Sequence, residues 1–175
     1  VDTMPLYPGS SLSTKTIGLL RNADGTLVVL DATKPLVEQL AEIVNMLREE
    51  GVLLTKPRGR VVIDFTRAGK TGIRVTVMGK LIDATADDVR KLLESYRIYN
   101  AHVKIYGEVS LDDIEQSLFE ATTYKPSVIF VNKADVASIS EEDLRELEKI
   151  VPGAPVIVGS ALRNVNLDKI GPALY

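Results

Sequence analysis

The chain has 175 residues, enough for one sizeable core or two small ones, and its 45% hydrophobic and 26% charged residues are those of an ordinary globular protein. It has no cysteine and one histidine, His102, which excludes a disulfide framework and a thiolate zinc site and argues against a histidine-based metal site or a serine–histidine triad. The net charge of −3 names no partner, no run of eighteen apolar residues suggests a membrane span, and the opening VDTMPLYPGS lacks the pattern of a signal peptide, so the expected compartment is the cytoplasm.

In chain order, LSTKTIGLLRNA (12–23) has helical spacing of its apolar residues. TLVVLDA (26–32) is a continuous apolar run, expected as a strand buried on both faces. Pro35 is placed to open a helix whose apolar stripe is Leu36, Leu40, Ile43, Val44 and Leu47, with Gly51 ending it. RVVIDFTRAGKTGIRVTVMG predicts two strands, about 60–66 and 72–78, joined as a hairpin by a glycine-containing turn. TADDVRKLLESY predicts a helix capped by Thr85, and AHVKIYG another strand, so residues 52–107 read as a small β-β-α-β unit.

SLDDIEQSLFEA follows as a helix capped by Ser110, with Asp113 at the capping-box position. SVIFVN is a second buried strand, SEEDLRELEKIV an amphipathic helix, PVIVGS a third buried strand and NLDKIGPALY a short closing helix. Buried strands alternating with helices argue for an α/β fold with a parallel sheet, which the β-β-α-β unit interrupts. The expected organisation is a discontinuous α/β domain, 1–34 plus 108–175, around an inserted small α+β module with its leading helix at 35–107.

The strand SVIFVN runs into NKAD, and ligands of open α/β sheets bind beyond the carboxyl ends of the strands. A carboxylate there, Asp135, can accept two hydrogen bonds from a planar edge with adjacent donors. Guanine offers that edge in N1–H beside its 2-amino group; adenine does not. The stem of Lys133 is suited to lie along the flat face of the base, and the Asn132 amide to tie neighbouring loops together. The next strand ends GSAL, where the Ala161 backbone N–H is a donor for guanine O6. Alone, NKxD is a weak signal; its place after a buried strand, with SAL one βα unit later, strengthens it.

At this point the chain resembles the developmentally regulated GTP-binding proteins and their archaeal relatives, in the Obg-related group of P-loop GTPases. RNADGTLVVLDATKP, YRIYNAHVKI, YKPSVIFVNKADV and GSALRNVNLDKI carry the resemblance, which runs from about residue 17 to 172. It implies part of a P-loop GTPase parallel sheet with helices on both faces, interrupted by a module akin to a small α+β fold of ribosomal proteins. It implies guanine binding by Asn132, Lys133, Asp135, Ser160, Ala161 and Leu162, with GTP or GDP and Mg2+ as cofactors. The function it implies is that of a GTPase acting in translation or ribosome-associated regulation, with a regulatory protein as a further partner.

The phosphate-cradling motif GxxxxGK[ST] does not occur in this sequence. RAGKTGIR holds GKT without the earlier glycine, and reads as a turn between strands. Asp2 matches the magnesium-proximal aspartate of the family's D-x-x-G, although position 5 is Pro5. The expectation is a fragment of a larger GTPase, inactive alone, that self-associates through strand 26–32 or by exchanging its N-terminal helix between copies. The competing expectation is an RNA- or ribosome-binding module without hydrolysis of its own. Residues 56–80 hold seven basic side chains (Lys56, Arg58, Arg60, Arg67, Lys70, Arg74, Lys80) against one acid, Asp64, whereas 81–120 hold nine acids against four bases. These are either two solvated faces of different charge or a face for phosphate backbones. Tyr96, Tyr99 and Tyr106 near His102 are read first as packing of the module and second as base-stacking groups.

Overall fold

The computed structural model describes residues 12–66, 72–119 and 122–174. In chain order the elements are α1 (Thr14–Asn22), β1 (Thr26–Asp31), α2 (Leu36–Glu49), β2 (Val52–Leu53), β3 (Gly59–Phe65), β4 (Ile73–Leu81), α3 (Ala86–Ser95) and β5 (Ala101–Val109). There follow α4 (Leu111–Phe119), β6 (Thr123–Tyr124), β7 (Ser127–Asn132), α5 (Glu141–Ile150), β8 (Val156–Val158), a 3-10 turn (Leu167–Lys169) and α6 (Ile170–Leu174). They form two compact units, one running up to Lys56 and resuming at Thr123, the other Pro57–Thr122. These boundaries differ from the expected 34/35 and 107/108. Leu36, Leu40 and Leu47 of α2 pack in the core of the first unit, and Ile114 of α4 in that of the second.

The first unit is a parallel sheet in the order β1-β7-β8, with a short parallel pair, β2 and β6. Thr26 to Asp31 align with Ser127 to Asn132, and Ile129 to Val131 with Val156 to Val158. Val28, Leu30, Ile129 and Val131 on one face pack with Leu36, Leu40 and Leu47 of α2 and Leu147 of α5. On the other face Val128 and Phe130 are buried, and α6 lies against β7. The sheet therefore carries helices on both faces. Gly51 ends α2 with φ of 70°, the left-handed conformation that glycine adopts without a Cβ penalty.

One expectation is corrected here. Strand β1 is not buried on both faces: Leu27 and Val29 are 41% and 53% exposed. The reason is position. β7 has paired strands on both sides and helices over both faces, whereas β1, like β8, is an edge among the described strands of this sheet.

The second unit holds a three-stranded sheet in the order β3-β5-β4, with β5 antiparallel to β3 and parallel to β4. The expected hairpin between β3 and β4 is therefore overturned, because β5 lies between them. Parallel neighbours need a crossover, and α3 supplies it from β4 to β5. The box that starts α3 is formed by Thr85 and Asp88, and Ser110 and Asp113 exchange the same bonds before α4. Val61, Ile63, Val75, Val103 and Ile105 face Val89 and Leu93 of α3 and Ile114 of α4. By strand alternation Arg60, Arg74, His102, Lys104 and Tyr106 lie on the opposite face. The central residues His102 and Lys104 are only half-buried there.

Candidate functional site

Asn132 is the last residue of β7, and its side chain folds back rather than outward. Its Oδ1 accepts from the Lys133 N–H at 2.8 Å and from the Ala161 N–H at 2.9 Å. Ala134 N–H donates to Gly159 O at 3.0 Å, and Gly159 N–H to Val131 O at 2.9 Å. The segments after β7 and β8 are thus stitched together, with NKAD on one and SAL on the other. Lys133 sits at φ of 68°, a left-handed backbone that disfavours a side chain bearing a Cβ. The surrounding bonds hold it there, as is common where a site fixes a side chain's direction.

The SAL segment is a tight loop. Ser160 and Val165 exchange backbone bonds of 3.2 and 2.9 Å. Ser160 Oγ accepts from Arg163 N–H at 3.1 Å, and Asn166 Nδ2 donates to Val158 O at 2.7 Å. Glycine is required at 159, since a Cβ there would stand 2.3 Å from Val165 O. The Ser160 hydroxyl holds the Asp135 carboxyl below the usual carboxylate range, with a smaller contribution from the Arg163 guanidinium, which stands 3.9 Å away. Asp135 is therefore an anion at neutral pH, in the form that accepts two donors.

A third strand end joins them. Asp31, in register with Asn132, accepts Lys133 Nζ at 2.7 Å on Oδ2. On Oδ1 it accepts Thr33 N–H at 3.0 Å and Thr33 Oγ1 at 2.7 Å. The Lys133 ammonium and the Thr33 donors hold the Asp31 carboxyl far below its ordinary range. Gln39 braces the same residue's backbone, donating to Asp31 O at 2.9 Å and accepting its N–H at 3.0 Å. The sequence reading missed Asp31, Thr33 and Gln39. The available signal was an acid ending a strand that pairs in parallel with the NKAD strand.

Of the expected guanine-site residues, Asn132, Lys133, Asp135, Ser160 and Ala161 come together. Leu162, next along the same loop, is 85% exposed. The Ala161 N–H, expected to await guanine O6, is engaged by Asn132 Oδ1. Asp2, Arg67 and Lys70 lie outside the described residues. Among the described residues no group of three or more acids and histidine is placed to hold a metal ion. Of RAGKTGIR, residues 67–71 lie outside the described residues, and the segment leads into strand β4, whereas a phosphate loop leads into a helix.

Of the residues expected to form a basic face, Lys56, Arg58, Arg60 and Arg74 are described. Lys56 belongs to the first unit, and Arg58 pairs with Glu108 at 3.7 Å. Arg60 and Arg74 share the face of the second sheet opposite α3 and α4, aligned with Tyr106 and His102 respectively. Lys104 on that face is bound to Asp64 at 2.8 Å, and His102 to Thr76 at 2.8 Å. Tyr96 packs edge-on against Phe119, ring centroids 4.9 Å apart, whereas Tyr99 and Tyr106 are exposed.

The family model described as the C-terminal region of MMR_HSR1 domain matches residues 70–175. Developmentally-regulated GTP-binding protein 1 of Xenopus laevis is 29% identical over 136 residues, 78% of this chain and 36% of that protein. Developmentally-regulated G-protein 3 of Arabidopsis thaliana is 29% identical over 160 residues, 91% and 41% respectively. Ribosome-interacting GTPase 1 of Saccharomyces cerevisiae is 28% identical over 165 residues, 93% and 42%. The chain thus spans about two fifths of the length of these relatives. No described helix is long and apolar enough to cross a membrane.

Proposed function

Because the chain belongs to the family described as the C-terminal region of the MMR_HSR1 domain, among developmentally regulated GTP-binding proteins and related GTPases, we propose that it supplies the guanine-reading part of a GTP-binding protein. The observation that carries this reading is the ionised Asp135 set at a strand end stitched by Asn132 to SAL on the next strand. Asp135 would accept from guanine N1–H and the 2-amino group. Lys133 would cover the face of the base, and O6 would compete with Asn132 Oδ1 for the Ala161 N–H.

Hydrolysis of GTP, with Mg2+, is proposed for a protein that joins these residues to a phosphate loop. The 175 residues alone are proposed not to hydrolyse it, since no GxxxxGK[ST] occurs in them. Calorimetry with guanosine, GDP, GTP and ATP tests the reading. Binding confined to the guanine compounds is expected, and equal binding of ATP would remove NKAD from the role.

A cytoplasmic, ribosome-associated role is proposed by analogy with the yeast ribosome-interacting GTPase. The observation on this chain that favours contact with RNA is the sheet face opposite α3 and α4, which bears Arg60, Arg74 and Tyr106. Self-association along β1 is proposed from its exposed Leu27 and Val29. Light scattering against concentration should show it, and Val29→Lys should abolish it; a wild-type chain that stays monomeric rejects the proposal.

A further inference from the structure

The Lys133 ammonium is already held before any base is considered, and what holds it is Asp31 on the neighbouring strand. We propose that Asp31 is a positioning residue for base binding: it anchors the Lys133 head so that the aliphatic stem stands as one wall of the purine site. The proposal rests on the guanine-site reading above.

The arrangement is built rather than incidental. A lysine on the surface ordinarily samples many rotamers, and fixing it is entropically costly. Here both ends are fixed. The backbone end is set in a left-handed conformation, φ 68°, with its N–H on Asn132 Oδ1. The head is set at 2.7 Å from Asp31 Oδ2. Asp31 cannot swing away, because Thr33 fills Oδ1 with two donors. Its backbone cannot shift easily, because one Gln39 amide holds both its N–H and its C=O. A chain of bonds therefore runs from α2 through β1 to the lysine of NKAD. A wall fixed in advance spares the ligand the ordering cost that a free lysine would impose at binding. A stem presents a methylene surface to any purine. Asp31 therefore governs how tightly a purine is stacked, while Asp135 governs which purine is chosen.

The test is a double-mutant cycle on the whole chain, read by guanosine and xanthosine titrations in NMR. Asp31→Asn keeps the Thr33 acceptor and removes the charge. Lys133→Met keeps the stem and removes the ammonium. Asp31→Asn alone should weaken guanosine about three- to fivefold, the range of a partly exposed ion pair, with the guanosine-to-xanthosine ratio unchanged. In the Lys133→Met background it should do nothing further, because the partner is gone. Additive losses would overturn the proposal, since Asp31 would then act through something other than the lysine. Asp135→Asn separates the two readings: if it leaves the guanosine preference intact, the base-site reading fails. The ion pair is decided without ligand by relaxation of the Lys133 side-chain signals. Lys133 should be ordered in the wild type and mobile in Asp31→Asn; equal mobility in both overturns the positioning role even if no nucleoside binds.

Discussion

The two sheets of this chain handle their polar residues in opposite ways. In β1-β7-β8 the central strand β7 is buried from Ser127 to Val131, and its polar residues begin where the strand ends, at Asn132. In β3-β5-β4 the central strand alternates, with Ala101, Val103 and Ile105 buried and His102 and Lys104 half-buried between them. A strand covered on both faces, as β7 is, can offer chemistry only at its ends, so its recognition is concentrated at a point. A sheet covered on one face offers a surface, and recognition there is spread over many side chains.

The largest effects should come from the cores, which share no residue. Ile129 in β7 and Ile105 in β5 are both fully buried. Truncating either to alanine should cost about 2–5 kcal/mol. Hydrogen exchange should show Ile129→Ala loosening β1, β7 and β8 while β5 stays protected, and Ile105→Ala the reverse. If each variant loosened both sheets alike, the separation into two cooperative units would be wrong.

Next in size is the contrast between a point and a surface. Asp135→Asn should lower guanosine affinity about ten- to a hundredfold and reverse the preference towards xanthosine, since an amide mismatches one of guanine's two donors. Retained guanosine preference would break the strand-end half of the comparison. On the open face, Arg60→Ala or Arg74→Ala should each reduce single-stranded RNA binding only modestly. Each should flatten the slope of log affinity against log salt by about 0.7, the loss of one phosphate contact. No binding to RNA even at low salt would leave that face a solvated surface.

What the sequence disclosed follows the same division. NKAD and SAL were legible because strand ends are written in short contiguous words, and the cap at Thr85 and the box at Ser110 because a cap is local. The exposed face of β1 was not legible. TLVVLD and SVIFVN have the same texture, and only the neighbours of a strand decide whether alternate residues are covered. The hairpin misreading has the same cause: RVVIDF and IRVTVMG are close in sequence, yet the partner of both is β5, a helix later. Asp31 was missed because its importance lies in register with Asn132, across 102 positions from Lys133, and no local pattern encodes that.

The smallest effect is a difference between carboxylates on acidification. Asp31 in the first unit has three donors on its two oxygens, the Lys133 ammonium being the strongest influence and Thr33 the next. In the second unit Lys104 lowers the Asp64 carboxyl, and the Thr85 hydroxyl and N–H lower that of Asp88. All three are depressed below the unfolded value of about 3.9. Each therefore contributes stability that is present above that value and is lost as pH falls through its folded one. Because Asp31 is held furthest down, its pairing should outlast the other two. Carboxyl carbon shifts followed from pH 6 to the lowest pH at which the fold survives should show Asp64 and Asp88 bending first, with Asp31 still ionised. Replacing Lys133 by Met should move the Asp31 midpoint upward, while leaving Asp64 and Asp88 where they were. An Asp31 that titrates together with the solvent-exposed carboxylates would mean that the ion pair does not persist in solution, and that the fixed wall beside NKAD is absent with it.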